Sequence, residues 1–324
     1  MSAALSPDRI LRELSDLWTG TAATGEGDSR QGVLRACTMT LVVLSDEGDD
    51  FSALGETVAA LMPEYPARAI LIRLHPDGPR SLSERVYAQC WMPFGQRRQI
   101  CCEQIEITAS DAALADLPGV VLPLAVADLP VILWCRATRL LGMPVFSQIA
   151  AMATRVILDS AAMPDPRATL GRLADASARV AIGDLAWTRL TRWREMLAQV
   201  FENRERLAHI AAIARVRVAF GGTYETGARY MAAWIADALR QAGAAPQAAV
   251  EPDPAVPTLR VELSGGGLSV TLHREEQRLV VVIDGASQCT NLPQPGDYIL
   301  MREELALPRH DSVFERTLAT AARL

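Results

Sequence analysis

Three apolar runs constrain this chain more than any other feature. Cys37 to Leu44 (CTMTLVVL) is rich in β-branched residues, Ala67 to Leu74 (ARAILIRL) follows it, and Leu129 to Cys135 (LPVILWC) is almost unbroken. A strand with one wet face alternates apolar and polar residues, whereas a strand covered on both faces does not. Between the first two runs, Phe51 to Met62 has helical spacing and stops at Pro63. Strand, helix and strand within about forty residues form a βαβ unit. A parallel sheet wrapped by helices is therefore expected in the first half.

The pattern then departs from simple alternation. Val86 to Met92 and Ile100 to Thr108 read as strands joined by PFGQRRQ, a hairpin that makes the sheet mixed. Residues 110–126, Val145 to Ala153 and Pro166 to Ala176 read as helices, with a strand at Arg155 to Asp159. A long helix is expected over Trp187 to His209, because Leu190, Trp193, Leu197, Val200, Phe201 and Leu207 form an apolar stripe. Beyond it come a strand (Ile213 to Phe220), a Gly221-Gly222 turn and a helix from Thr223 to Gln241. AGAAPQAAVEPDPAVP reads as a loop, residues 257–263, 267–273, 279–284 and 297–301 as strands, and 311–323 as a last helix. Ahead of all this, residues 7–19 suit a short amphipathic helix and Gly20 to Gly32 a flexible connector. The expected fold class is α/β: a mixed-sheet N-terminal α/β domain plus a smaller α+β C-terminal domain. Its parts are residues 1–32, the helix and connector; 33–185, the α/β domain; and 186–324, the long helix and α+β domain.

Composition removes several chemistries. All 32 basic residues are Arg, and the chain has no Lys. A P-loop lysine, a lysine Schiff base and a kinase-type lysine are thereby excluded. The net charge of −6 argues against a nucleic-acid partner. The longest apolar run, Gly119 to Cys135, is interrupted by Pro123, Asp128 and Pro130, so no membrane span is expected. With no apolar leader at the N-terminus, a cytoplasmic location is expected, and the six Cys are most simply reduced thiols.

Catalytic motifs are missing. There is no G-x-S-x-G, and no G-x-G-x-x-G follows the first strand. Gly25-Glu26-Gly27 and Gly265-Gly266-Gly267 read as loops. His75, His209, His273 and His310 are too dispersed for a metal site, so neither a metal nor a cofactor is expected. Asp159, Asp165 and Asp184 stand where Asp caps or turns. Cys101 and Cys102 should face opposite sides of a strand; they read as ordinary thiols, one buried and one more exposed, or else as a redox pair of positions. In FGGTYETG, Gly221, Gly222 and Thr223 form either a tight turn capped by Thr223 or an anion cradle. From Trp187 to Arg217, seven Arg stand against three Glu. That is either a solvated helix face or a docking surface for an acidic partner, for which Trp187, Arg189, Trp193 and Arg194 are the candidate contacts.

Six segments, in order, resemble the glucose-6-phosphate dehydrogenase assembly protein family (OpcA). They are RACTMTLVV (35–43), YPARAI (65–70), ICCEQI (100–105), VLPLAVADLPVILWCR (121–136), RVILDSAAMPDP (155–166) and GDLAWTRLTRWREMLAQVF (183–201). The chain departs from the family pattern at Cys135, where a second Trp is frequent, at Cys102, where Ser is common, and at Arg192, where Pro is usual. The resemblance implies a non-catalytic subunit whose partner is glucose-6-phosphate dehydrogenase of the oxidative pentose phosphate pathway. It would promote that enzyme's active oligomer or act as its allosteric activator. The residues leave open a homo-oligomer, and also a different function, a sugar-phosphate- or nucleotide-binding α/β protein using Phe220-Gly221-Gly222-Thr223 as an anion site.

Overall fold

The computed structural model describes residues 6–23, 34–76, 79–91, 100–307 and 310–324. They fall into two compact units, Met1–Leu158 with Arg179–Gly183, and Asp159–Ala178 with Asp184–Leu324.

The first unit is built on an eight-stranded mixed sheet. Its strands are β1 (Leu34–Arg35), β2 (Met39–Asp46), β3 (Ala67–His75), β4 (Leu82–Trp91), β5 (Ile100–Ser110), β6 (Val131–Cys135), β7 (Arg155–Leu158) and β8 (Ala181–Asp184). The spatial order is β1-β5-β3-β2-β6-β7-β8, with β4 antiparallel on β5. The unbroken apolar runs form the middle: β2 pairs in parallel with β3 on one side and β6 on the other, and Leu41, Val42, Val43 and Leu44 are fully enclosed. The helix Phe51–Leu61 starts at Asp50, whose carboxylate accepts from Ser52 N–H and Ala53 N–H, and it buries Leu54, Val58 and Leu61. Arg68 is tolerated in this core because its guanidinium donates to Glu103 at 2.5 Å and to the Leu124 carbonyl at 2.6 Å.

The second unit carries a six-stranded sheet: β9 (Arg215–Phe220), β10 (Gln247–Pro252), β11 (Leu259–Gly265), β12 (Leu268–Glu275), β13 (Arg278–Ile283) and β14 (Ala286–Asn291), in the order β10-β9-β11-β12-β13-β14. Only β9 and β10 run parallel. The helix Glu225–Gln241 packs on β9 and β10. The helices Pro166–Ser177 and Ser312–Ala321 pack against it and against each other. The helix at 166–177, grouped by sequence with the α/β domain, clusters with the second unit for that reason.

The α/β class and the hairpin of β4 and β5 agree with the sequence reading; the loop at 92–99 lies outside the described residues, as does the connector beyond Ala23. The first helix runs on to Ala23, past Gly20. Several other expectations need correction. The long helix over 187–209 is three pieces, Leu185–Thr188, Thr191–Val200 and Arg204–Ala208. Asn203 divides the last two by accepting from Glu205 N–H and Arg206 N–H, so a new helix starts where a stripe alone suggests continuity. Residues 297–301 begin a helix, Asp297–Ala306, not a strand. Short apolar runs such as DYILM do not distinguish the two. The helix expected over 110–126 is a 3-10 turn (Asp111–Asp116) followed by Leu117–Leu124. β10 lies in the segment read as a loop, and β14 was also missed; both are edge strands with mostly exposed or half-exposed side chains, so no alternation marks them.

Candidate functional site

The Arg-rich region starts at a buried carboxylate. Asp184 caps Leu185–Thr188 by accepting from Ala186 N–H at 2.9 Å. It also accepts from Ser160 N–H at 3.0 Å and from the Tyr230 hydroxyl at 2.7 Å. Asp184 has no exposed surface, and burial pushes its carboxyl up to about 6, with the Asp159 charge adding and the Ser160 and Tyr230 hydrogen bonds opposing. Thr188 donates to the buried Glu304 at 2.6 Å. Trp187, Tyr230 and Phe314 form a closed aromatic triangle with centroids 5.8–5.9 Å apart.

The four candidate contact residues are thus placed as follows. Trp187 and Trp193 are interior, 3% and 5% exposed. Arg194 lies over the Trp187 ring, 3.5 Å from its centroid, and donates to the Trp187 carbonyl at 2.7 Å. Burial lowers its guanidinium to about 10. Arg189 grips Asp159 with two bonds, 2.7 and 2.5 Å long. The region's outward side is carried by other residues: Arg192 and Arg204 are exposed, and Leu207 is an exposed apolar side chain at 49%.

Asp159, Asp165 and Asp184 all act as caps, accepting from Ala161, Ala168 and Ala186 N–H, as their positions suggested. Sequence reasoning missed the further roles of Asp159 and Asp184 in holding Arg189 and Tyr230. Those partners come from distant segments and leave no local signal.

Beside the Arg189–Asp159 pair, within the second unit, is a cavity of about 290 Å³. Trp193, Thr223, Tyr224, Thr258 and Arg274 are among its walls. Of the three turn candidates only Thr223 faces it. Gly221 is a packing glycine: a Cβ there would overlap the Val256 carbonyl oxygen. Gly222 supplies a positive φ of 55°. Thr223 does not cap the helix; the cap position is Tyr224, without a side-chain cap bond.

Cys101 and Cys102 are both buried, on a stretch of β5 that lies between β1 and β4. The expectation that one would be more exposed is therefore corrected. Cys101 is disulfide-bonded, and the backbone register sets Cys90 opposite it. Cys102 is a free thiol; burial pushes it up to about 11. Among the described residues, no cluster of three His, Cys, Asp or Glu is arranged to hold a metal.

Two α/β units, each built on its own mixed sheet, define a two-domain α/β protein. Two family models then cover most of the sequence, the glucose-6-phosphate dehydrogenase subunit N-terminal domain over residues 31–175 and its C-terminal domain over residues 180–318. The chain belongs to this OpcA family of glucose-6-phosphate dehydrogenase subunits. It is 33% identical over 141 residues to a protein of Nostoc punctiforme named "Putative OxPP cycle protein OpcA", covering 43% of this chain and 30% of that one. A Synechocystis protein of the same name is 27% identical over 193 residues, covering 58% and 40%. These matches thus span well under two thirds of either relative. Among solved structures, an NAD binding oxidoreductase from Klebsiella pneumoniae aligns over 85% of this chain and 88% of its own, at 12% identity and a TM-score of 0.44. A likeness that weak says nothing about activity.

Proposed function

We propose that this chain is a non-catalytic assembly and allosteric effector subunit that binds and activates glucose-6-phosphate dehydrogenase in the oxidative pentose phosphate pathway. The observation that carries the reading is the pair of family models, matched in order along both halves of the chain. The geometry is compatible with it. The carboxylate of Asp184 is sealed in the interior, where it holds elements together.

The docking surface in this proposal is the outward side of 191–208, with Arg192, Arg204 and Leu207 meeting an acidic patch of the dehydrogenase. Trp187, Arg189, Trp193 and Arg194 shape that surface from beneath. Planar Arg forks suit carboxylates better than a point charge would. Activation works by differential affinity: tighter binding to the active arrangement shifts the dehydrogenase towards it. A typical coupling of about 1–3 kcal/mol corresponds to a roughly 5- to 150-fold change in affinity. The site of action in this proposal is the cytoplasm; among the described residues no helix is long and apolar enough to cross a membrane.

The test is dehydrogenase activity titrated with this chain. A saturable rise that is lost in an Arg192→Glu, Arg204→Glu double variant supports the reading. An unchanged rate and an unchanged dehydrogenase oligomer over a wide concentration range reject it.

A further inference from the structure

We propose that the cavity beside Trp193 in the second unit is a binding site for a sugar monophosphate, with Arg274 as its phosphate-binding residue. Four features point to a ligand. First, about 290 Å³ is far more than a structural void between packed side chains and lies at the small end of ligand pockets. Second, Arg274 is a cation without a carboxylate partner among the described residues; its one hydrogen bond is from Nε to the Glu276 carbonyl at 2.7 Å. Its terminal nitrogens are left to meet an anion.

Third, Thr223, exposed and hydroxyl-bearing, stands in the cavity wall. Fourth, the apolar side of the cavity includes the indole of Trp193 together with Pro293 and Pro295, flat surfaces against which a sugar ring packs.

Charge narrows the ligand class. Asp159 neutralises Arg189 through its two bonds, so the pair adds no net charge, and with Ala161 N–H also on Oδ1 about one acceptor position of the carboxylate remains at the cavity edge. That position suits a ligand hydroxyl. A phosphate at Arg274 with hydroxyls at Asp159 and Thr223 uses the polar groups of the wall together, whereas inorganic phosphate or an uncharged sugar uses only some of them.

The inference concerns the chain by itself and is independent of the dehydrogenase reading. Binding to the full chain is measured calorimetrically with glucose 6-phosphate, ribose 5-phosphate, glucose and inorganic phosphate as probes. At least one sugar phosphate should bind saturably and at least tenfold more tightly than glucose or inorganic phosphate. Arg274→Gln and Thr223→Val should each weaken it, the first by tenfold or more, with the unliganded melting temperature kept as the check on folding. No saturable binding of either sugar phosphate overturns the proposal. So does equal affinity for inorganic phosphate, or unchanged affinity in Arg274→Gln.

Discussion

Asp184→Asn is the substitution that most directly reads the energetics of the buried network. Asp184 has no exposed surface, and its carboxyl is raised from 3.8 to about 6. A raised acid pKa in the folded state means that folding favours the protonated form. Below the unfolded value the carboxyl costs nothing extra, and the cost grows as the pH climbs from about 4 to about 6. At about 1.4 kcal/mol per pKa unit, the full cost at neutral pH is about 3 kcal/mol. Between about pH 4.5 and 7.5 the change is about 2 kcal/mol, because part of the cost is already present at the lower pH. Asn keeps an oxygen for the Ser160 and Ala186 N–H groups, while its amide turns the Tyr230 hydroxyl from donor to acceptor. The assay is urea unfolding of both proteins at the two pH values. The stability of the native protein minus that of the variant should fall by about 2 kcal/mol as the pH rises. The other carboxylates are shared by both proteins and largely cancel. A difference that stays constant, or that grows with pH, refutes the argument that Asp184 is buried charged at neutral pH.

Other outcomes follow from packing. Trp193→Ala should destabilise the chain by about 3–5 kcal/mol in the same unfolding assay, since the indole is buried; a near-neutral effect would show that Trp193 is not core. Gly221→Ala should cost more than Gly222→Ala, because only the former drives a Cβ into the Val256 carbonyl, while the latter meets open space at a φ that costs about 1–2 kcal/mol. In native-state thiol labelling followed by mass spectrometry, the exposed Cys289 should react fast, and the enclosed, high-pKa Cys102 only on unfolding. Rapid labelling of Cys102 would reopen a redox role for that position.

The parts of the fold legible in the sequence are those where one physical pattern acts alone. Runs buried on both faces, such as 39–46 and 131–135, read as interior strands because they are short and rich in β-branched residues. The Asp caps were legible because a cap is a local event. Edge strands 247–252 and 286–291 were not, because water on most of their side chains erases the alternation. The broken helix at 187–209 shows a different failure: a continuous apolar stripe conceals a cap such as Asn203. The candidate site shows a third. Trp and Arg in one stretch suit a docking surface and a core-and-clasp equally well. Only the fold shows that Trp187 faces Tyr230 and Phe314, that Arg194 covers it, and that Arg189 holds Asp159. Arg274 lies on β12 and Thr258 just ahead of β11, with nothing local to connect either to a cavity.

The central claim is tested most directly by sedimentation of this chain mixed with the glucose-6-phosphate dehydrogenase of the same cell, with activity read on the same samples. The account predicts a faster-sedimenting complex that contains both proteins and a rate that rises in step with its formation. Two proteins that sediment independently at tens of micromolar, well above the concentrations of a functional complex, with a rate unaffected by mixing, would contradict it.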